Sequence, residues 1–182
     1  GRRAPILVSP TGSGKTVMAS AVIASAVAKG SRVLFLAHRF ELIAQASHKL
    51  AACGITHAII APKSSALSVA AQQYRDLGRS FVDATAPVRV GTVQSTVRRN
   101  DWVPDLIIID EAHHAAAGSW SKILEHWPEA YRLGVTATPC RLDGRGLGAT
   151  FDHLVLGPSV AELIDCKFLT PSRIYAPPQV AD

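Results

Sequence analysis

Apolar positions in this chain come in short, nearly unbroken runs, each followed by a longer stretch where they recur every three or four residues. "APILV" (4–8) reads as a buried strand, and a helix follows from Lys15 to Lys29. "RVLFLA" (32–37) is a second strand, and "FELIAQASHKLAA" (40–52) a helix with Phe40, Ile43 and Leu50 on one side. "HAIIA" (57–61) is a third strand, and Leu67, Ala70, Tyr74 and Leu77 carry helical spacing through the segment after it. "VRVGT" (88–92), "DLIIID" (105–110) and "YRLGVTA" (131–137) complete the predicted strands. The runs are apolar throughout, not alternating, which suits a parallel sheet with helices on both faces. The pattern predicts an α/β, doubly wound fold with a mostly parallel sheet.

Composition narrows the class. At 182 residues, 48% hydrophobic and 18% charged, the chain is a globular domain and not a disordered one. A net charge of +5 suits a polyanionic partner without requiring one. Cys53, Cys140 and Cys166 are far apart and show no zinc spacing, and adjacent His113 and His114 cannot form a helical i, i+4 metal pair. Reduced thiols in a cytoplasmic protein are therefore expected. No apolar run reaches the roughly 18 residues of a membrane span, and Arg2-Arg3 precedes too short a run for a signal peptide, so no membrane is expected as partner. Gly144, Gly146 and Gly148 suggest a mobile loop, and "APPQVAD" reads as a linker. The expected organisation is one domain over 1–176 and a linker over 177–182, in a piece of a larger protein.

Two motifs carry chemistry. "SPTGSGKT" (9–16) follows a strand and opens a helix, which is the setting of a phosphate-binding loop. Gly12 and Gly14 let the backbone curl so that successive N–H groups surround phosphate oxygens, in a loop whose other members are Pro10, Thr11 and Ser13. The helix N-terminus adds positive potential there. Lys15 would reach the β- and γ-phosphates, and the Thr16 hydroxyl would ligate Mg²⁺. Ser9 stands where the general pattern has glycine, which narrows the kind of loop. The second motif is "LIIIDEAHH" (106–114), with Asp110 and Glu111 at the end of an apolar run. In an α/β sheet the carboxyl ends of the strands gather on one edge, where ligands bind. Asp110 would hold the metal and Glu111 would orient and deprotonate a water for in-line phosphoryl transfer.

With these motifs in place, the chain resembles the first RecA-like domain of a superfamily 2 DEAD/DEAH-box helicase. "SPTGSGKT" resembles that family's motif I, "DEAH" (110–113) its motif II and "TATP" (136–139) its motif III. "AHRFEL" (37–42) and "GTVQS" (91–95) resemble motifs Ia and Ib, and all five occur in family order. "TATPCRLDGRGLG" and "FLTPSRIYAP" look most like bacterial and phage proteins near the RadD-like DNA-repair helicases. The resemblance implies ATP and Mg²⁺ as cofactors and nucleic acid as partner, DNA favoured over RNA. It also implies nucleic-acid contacts by His38, Arg39, Thr92, Gln94 and Ser95, and coupling of the two sites by His113, Thr136 and Thr138. Two family features are not in the sequence: an adenine-contacting glutamine motif upstream and a second RecA-like domain. The latter would supply arginines to the γ-phosphate, so this domain alone is expected to bind nucleotide and hydrolyse it weakly.

Other residues have plainer readings. Arg98-Arg99 could extend a basic track, although a solvated pair is the simpler reading. Trp102, Trp120 and Trp127 could stack on bases, but packing is favoured. The alternative function is a P-loop switch or transport ATPase that does not act on nucleic acid. A purely binding role fits poorly with intact Lys15, Asp110 and Glu111.

Overall fold

A computed structural model of the protein describes residues 3–97, 102–114, 118–138 and 147–171. Seven strands and six helices alternate along it: β1 (Pro5–Val8), α1 (Lys15–Ala28), β2 (Val33–Ala37), α2 (Phe40–Ala52), β3 (Ala58–Ile60), α3 (Lys63–Leu77), β4 (Val88–Thr92), α4 (Val93–Thr96), β5 (Leu106–Asp110), α5 (Gly118–His126), β6 (Tyr131–Thr136), β7 (His153–Leu156) and α6 (Val160–Asp165). A 3-10 turn, Ala112–His114, follows β5. The strands form one sheet in the order β3-β4-β2-β5-β6-β1-β7. Every pairing among them is parallel.

The unbroken apolar runs now have their explanation. Leu34 and Leu36 of β2 join Ile107 and Ile109 of β5 on one face, under Trp120, Ile123 and Leu124 of α5. Val33, Phe35 and Ala37 of the same strand join Ile108, Val88 and Val90 on the other, under Ala19 and Ile23 of α1 and Ile43, Ala46 and Leu50 of α2. Successive strand residues point to opposite faces, so a strand covered on both sides needs apolar side chains at every position. All five residues of β2 are fully buried. Each large one contributes about 1.5–3 kcal/mol relative to exposure.

The structure departs from the sequence expectations in two places. The edge strand β7 and helix α6 lie beyond the last predicted strand. In α3 the spacing of Leu67, Ala70, Tyr74 and Leu77 does not mark the buried face: Leu67 and Tyr74 are 60% and 62% exposed and Ala70 and Leu77 half-buried, while Val69 and Gln73 are buried. Gln73 turns inward because it is wanted by polar groups. Its amide nitrogen donates to Ser47 Oγ at 2.9 Å, and its amide oxygen accepts from the Phe81 N–H at 2.8 Å. Trp120 and Trp127 are buried in the core and Trp102 packs against it, so packing is their role. Arg98-Arg99, Cys140, Gly144, Gly146 and the 177–182 linker lie outside the described residues.

Candidate nucleotide site

The loop between β1 and α1 takes its shape from two glycines. Gly12 and Gly14 have φ of 84° and 82°, a left-handed backbone that other residues adopt only with strain. Gly14 is the N-cap of α1, and it has no side chain to occupy the helix's first N–H groups. Those donors and the aligned dipole of a fourteen-residue helix make the loop an anion site. Pro10, Thr11 and Ser13 complete the curl: the Ser13 N–H donates to Pro10 O at 3.2 Å, and the buried Ser9 hydroxyl donates to Ser13 Oγ at 2.7 Å. The Lys15 ammonium donates to Ser9 O at 3.1 Å and Pro10 O at 3.0 Å, which holds it over the loop. Thr16 sits in the first turn of the same helix, half-buried.

Sheet register brings the carboxylates to this rim. Val8, the last residue of β1, lies opposite Thr136 of β6, and Val135 lies opposite Asp110 of β5. Ser9 continues the ladder by donating its N–H to Thr136 O at 2.9 Å. Asp110 therefore ends two strands from the phosphate loop, on the same edge of the sheet. Burial raises its pKa, and the neighbouring Glu111 raises it further. The Glu111 N–H bond and the charges of Lys15 and Lys49 pull the other way. Glu111 has a φ of 50°, unusual for a residue with a side chain.

Motifs II and III meet in a short network. His113 Nδ1 lies 2.9 Å from Thr136 Oγ1 and 3.3 Å from Glu111 Oε2. Thr136 Oγ1 donates its single hydrogen to Thr138 O at 3.0 Å and accepts the Thr138 N–H at 3.1 Å. It can therefore only accept from the histidine, so Nδ1 carries the ring proton. All three residues expected to couple the sites are thus joined to one another, and through His113 to Glu111.

The remaining site residues lie on neighbouring strand ends. His38 and Arg39 follow β2, with Arg39 the exposed N-cap of α2. They share a cavity of about 370 Å³ with Glu41, Leu42 and Glu111. Thr92 and Ser95 form a reciprocal capping box at α4, each side chain bonded to the other's backbone N–H at 3.1 Å. Their hydroxyls are largely engaged with the helix, whereas Gln94 between them is exposed.

The sequence reading passed over the flank formed by β7, α6 and Leu169. Gly157 donates its N–H to Val8 O at 2.8 Å, and a Cβ on Gly157 would stand 2.7 Å from Ser9 Oγ. A Cβ on Gly12 would stand 3.0 Å from Leu169 Cδ2. Two signals mark this flank in the sequence: the apolar run "HLVL" and the capping pair Ser159 and Glu162.

The donors fit magnesium nucleotide. Thr16, Asp110 and Glu111 offer oxygens, which suit a hard cation. Among the described residues no cluster of three or more His, Cys, Asp or Glu could hold a metal. Mg²⁺ usually takes one or two protein oxygens and fills its shell with phosphate oxygens and water.

A parallel sheet whose carboxyl edge sets a phosphate loop beside an Asp-Glu pair, with His113 tied to Thr136, is the first RecA-like domain of a superfamily 2 helicase. Residues 1–141 match the family described as type III restriction enzyme, res subunit, and the chain belongs to that family. It is 35% identical over 175 residues to a 51.5 kDa protein of a Lactococcus phage, a match covering 96% of this chain and 33% of that one. It is 28% identical over 188 residues to a protein of Schizosaccharomyces pombe named as a candidate mitochondrial ATP-dependent helicase, irc3, covering 96% of this chain and 29% of that one. Among solved structures, the type ISP restriction-modification enzyme LlaGI in complex with a DNA substrate mimic shares the fold, with a TM-score of 0.60 at 18% identity, covering 92% of this chain and 19% of that one. The chain spans about a third of the length of these two curated relatives.

Proposed function

We propose that this chain is the ATP-binding motor domain of a nucleic-acid-dependent ATPase. In the whole protein, hydrolysis would be coupled to unwinding or translocation, on DNA in preference to RNA. The observation that carries this reading is the placement of Lys15 and the Asp110-Glu111 pair on one rim of the sheet. The DNA preference draws support from the DNA-bound relative of the same fold, and the ATP preference from the ATP-dependent one. Residues 1–176 form the domain and 177–182 lead toward a second RecA-like domain. With no described helix long and apolar enough to cross a membrane, a cytoplasmic setting is the simplest one.

Each residue then has a task. The amides from Gly12 to Thr16 hold the phosphates, and the Lys15 ammonium offsets charge that develops on the transferred group. Thr16 and Asp110 would hold Mg²⁺, which when bound neutralises the β- and γ-oxygens. The Glu111 carboxylate would accept the proton of the attacking water, with His113 Nδ1 beside it, 3.3 Å from Oε2. Thr136 and Thr138 pass a change at Glu111 to the strand ends that carry His38, Arg39, Thr92, Gln94 and Ser95. Those side chains suit sugar-phosphate contacts, which position a strand without reading bases.

The test is the ATPase rate of the full-length protein with single-stranded DNA, duplex DNA and RNA at fixed salt. Lys15→Ala is expected to abolish turnover, and Glu111→Gln to keep ATP binding while stopping hydrolysis. Turnover retained in Lys15→Ala rules out the phosphate-loop assignment. A rate indifferent to every nucleic acid favours a P-loop switch or transport ATPase instead.

A further inference from the structure

Sheet order fixes the direction in which a nucleotide must lie. Asp110 ends β5 and Glu111 follows it; β5 stands on one side of β1 with β6 between them, and β7 stands on the other side. A triphosphate held by the β1–α1 loop, with its terminal phosphate drawn toward the carboxylates, sends its nucleoside end toward β7 and α6.

That flank is locked to the loop at two points. Gly157 bonds Val8 and abuts Ser9 at the start of the loop, and Leu169 lies against Gly12 at its tip. Between them the chain is fixed by α6. Ser159 and Glu162 cap its start. Its end reverses through Lys167, left-handed with a φ of 61°, while Phe168 and Leu169 both donate their N–H to Leu163 O at 2.8 and 3.0 Å. The reversal leaves Phe168 77% exposed beside half-buried Leu169. Leu156 and Val160, on the same flank, are 72% and 51% exposed. An apolar surface that touches the phosphate loop and faces water is suited to a flat heterocycle tethered to the phosphates.

We propose that Phe168 and Leu169 form the ledge on which the nucleobase of the bound nucleotide rests. This rests on the phosphate-loop reading above. The ledge supplies stacking and apolar contact, so it acts on nucleosides and not on phosphates.

The test is calorimetric titration of the full-length protein with ATP and, separately, with inorganic tripolyphosphate, both with Mg²⁺. Phe168→Ala and Leu169→Ala are expected to weaken ATP binding about five- to tenfold and leave tripolyphosphate binding unchanged. Exposed Phe168 can be truncated without opening the core, so its variant stays folded. ATP binding at the wild-type level in both variants overturns the ledge alone. Equal loss of both ligands also overturns it, since the segment would then be shaping the loop. If the wild-type protein binds neither ligand, the phosphate-loop reading falls and the ledge with it.

Discussion

His113 and Thr136 are 23 residues apart in sequence and meet at 2.9 Å through Nδ1 and Oγ1. Thr136 is fully buried, and its hydroxyl serves three partners at once: it accepts from His113 and Thr138 and donates to Thr138 O. Thr136→Val keeps the shape and removes the hydroxyl. It is expected to cost about 0.5–1.5 kcal/mol, because the Thr138 N–H and the His113 ring each lose a partner at a part-buried place. Urea denaturation measures that. Nucleotide affinity should hold while stimulation of the ATPase by nucleic acid drops; stimulation at the wild-type level would show that the link carries no signal.

Gly134 of β6 faces a wall. A Cβ there would stand 2.6 Å from Phe151 Cζ and 3.0 Å from Ala112 Cβ, and Phe151 is itself buried in the core. Gly134→Ala is expected to destabilise by about 1–3 kcal/mol through overpacking. That lowers the melting temperature by several degrees, about 3–10 °C for a domain of this size. A melt followed by circular dichroism decides it.

His57 is fully buried among neutral partners. Its Nδ1 lies 2.8 Å from Ile55 O and its Nε2 2.6 Å from Ser47 Oγ. The carbonyl needs a donor, so Nδ1 carries the proton and Nε2 accepts from Ser47. Burial lowers the pKa of this ring, against a smaller opposing effect of the Ile55 carbonyl. In the unfolded chain the ring protonates near about 6.5. Below that value the unfolded state binds a proton that the native state refuses, so stability falls as pH falls from about 6.5 toward the lower native value. His57→Gln is expected to flatten that part of the stability profile; an unchanged slope from pH 7 to 5 would assign the dependence to other groups.

Lys167 occupies a left-handed position that glycine favours at helix ends. Lys167→Gly is expected to stabilise the protein by about 0.5–1 kcal/mol, the relief of left-handed strain less the added freedom of the unfolded chain. A rise in the urea midpoint at constant slope is the readout.

The rim that carries the candidate site was legible as structure in the sequence because local chemistry and fold-level geometry agree there. "TGSGKT" needs no distant partner to curl, and "LIIID" announces a strand by apolar content alone. α3 was less legible. Leu67 and Tyr74 have helical spacing, but the helix faces inward with Gln73, whose partners Ser47 and Phe81 lie on other elements. The flank of the phosphate loop was missed for a related reason. The four residues of β7 are all exposed and hold their place by backbone pairing with β1, so side-chain pattern says little about them. No periodicity reveals that Leu169 lies against Gly12, a contact between residues at opposite ends of the chain.

Arg39 and Glu111 open onto the same small cavity, and they bear opposite formal charges. On the proposed function, a phosphodiester strand seated at the first would be repelled by the second. The balance would depend on ions in the gap, so added salt would loosen the strand and also change the field at the Glu111 carboxylate. Ionic strength would then tune turnover even in solutions where the strand is saturating.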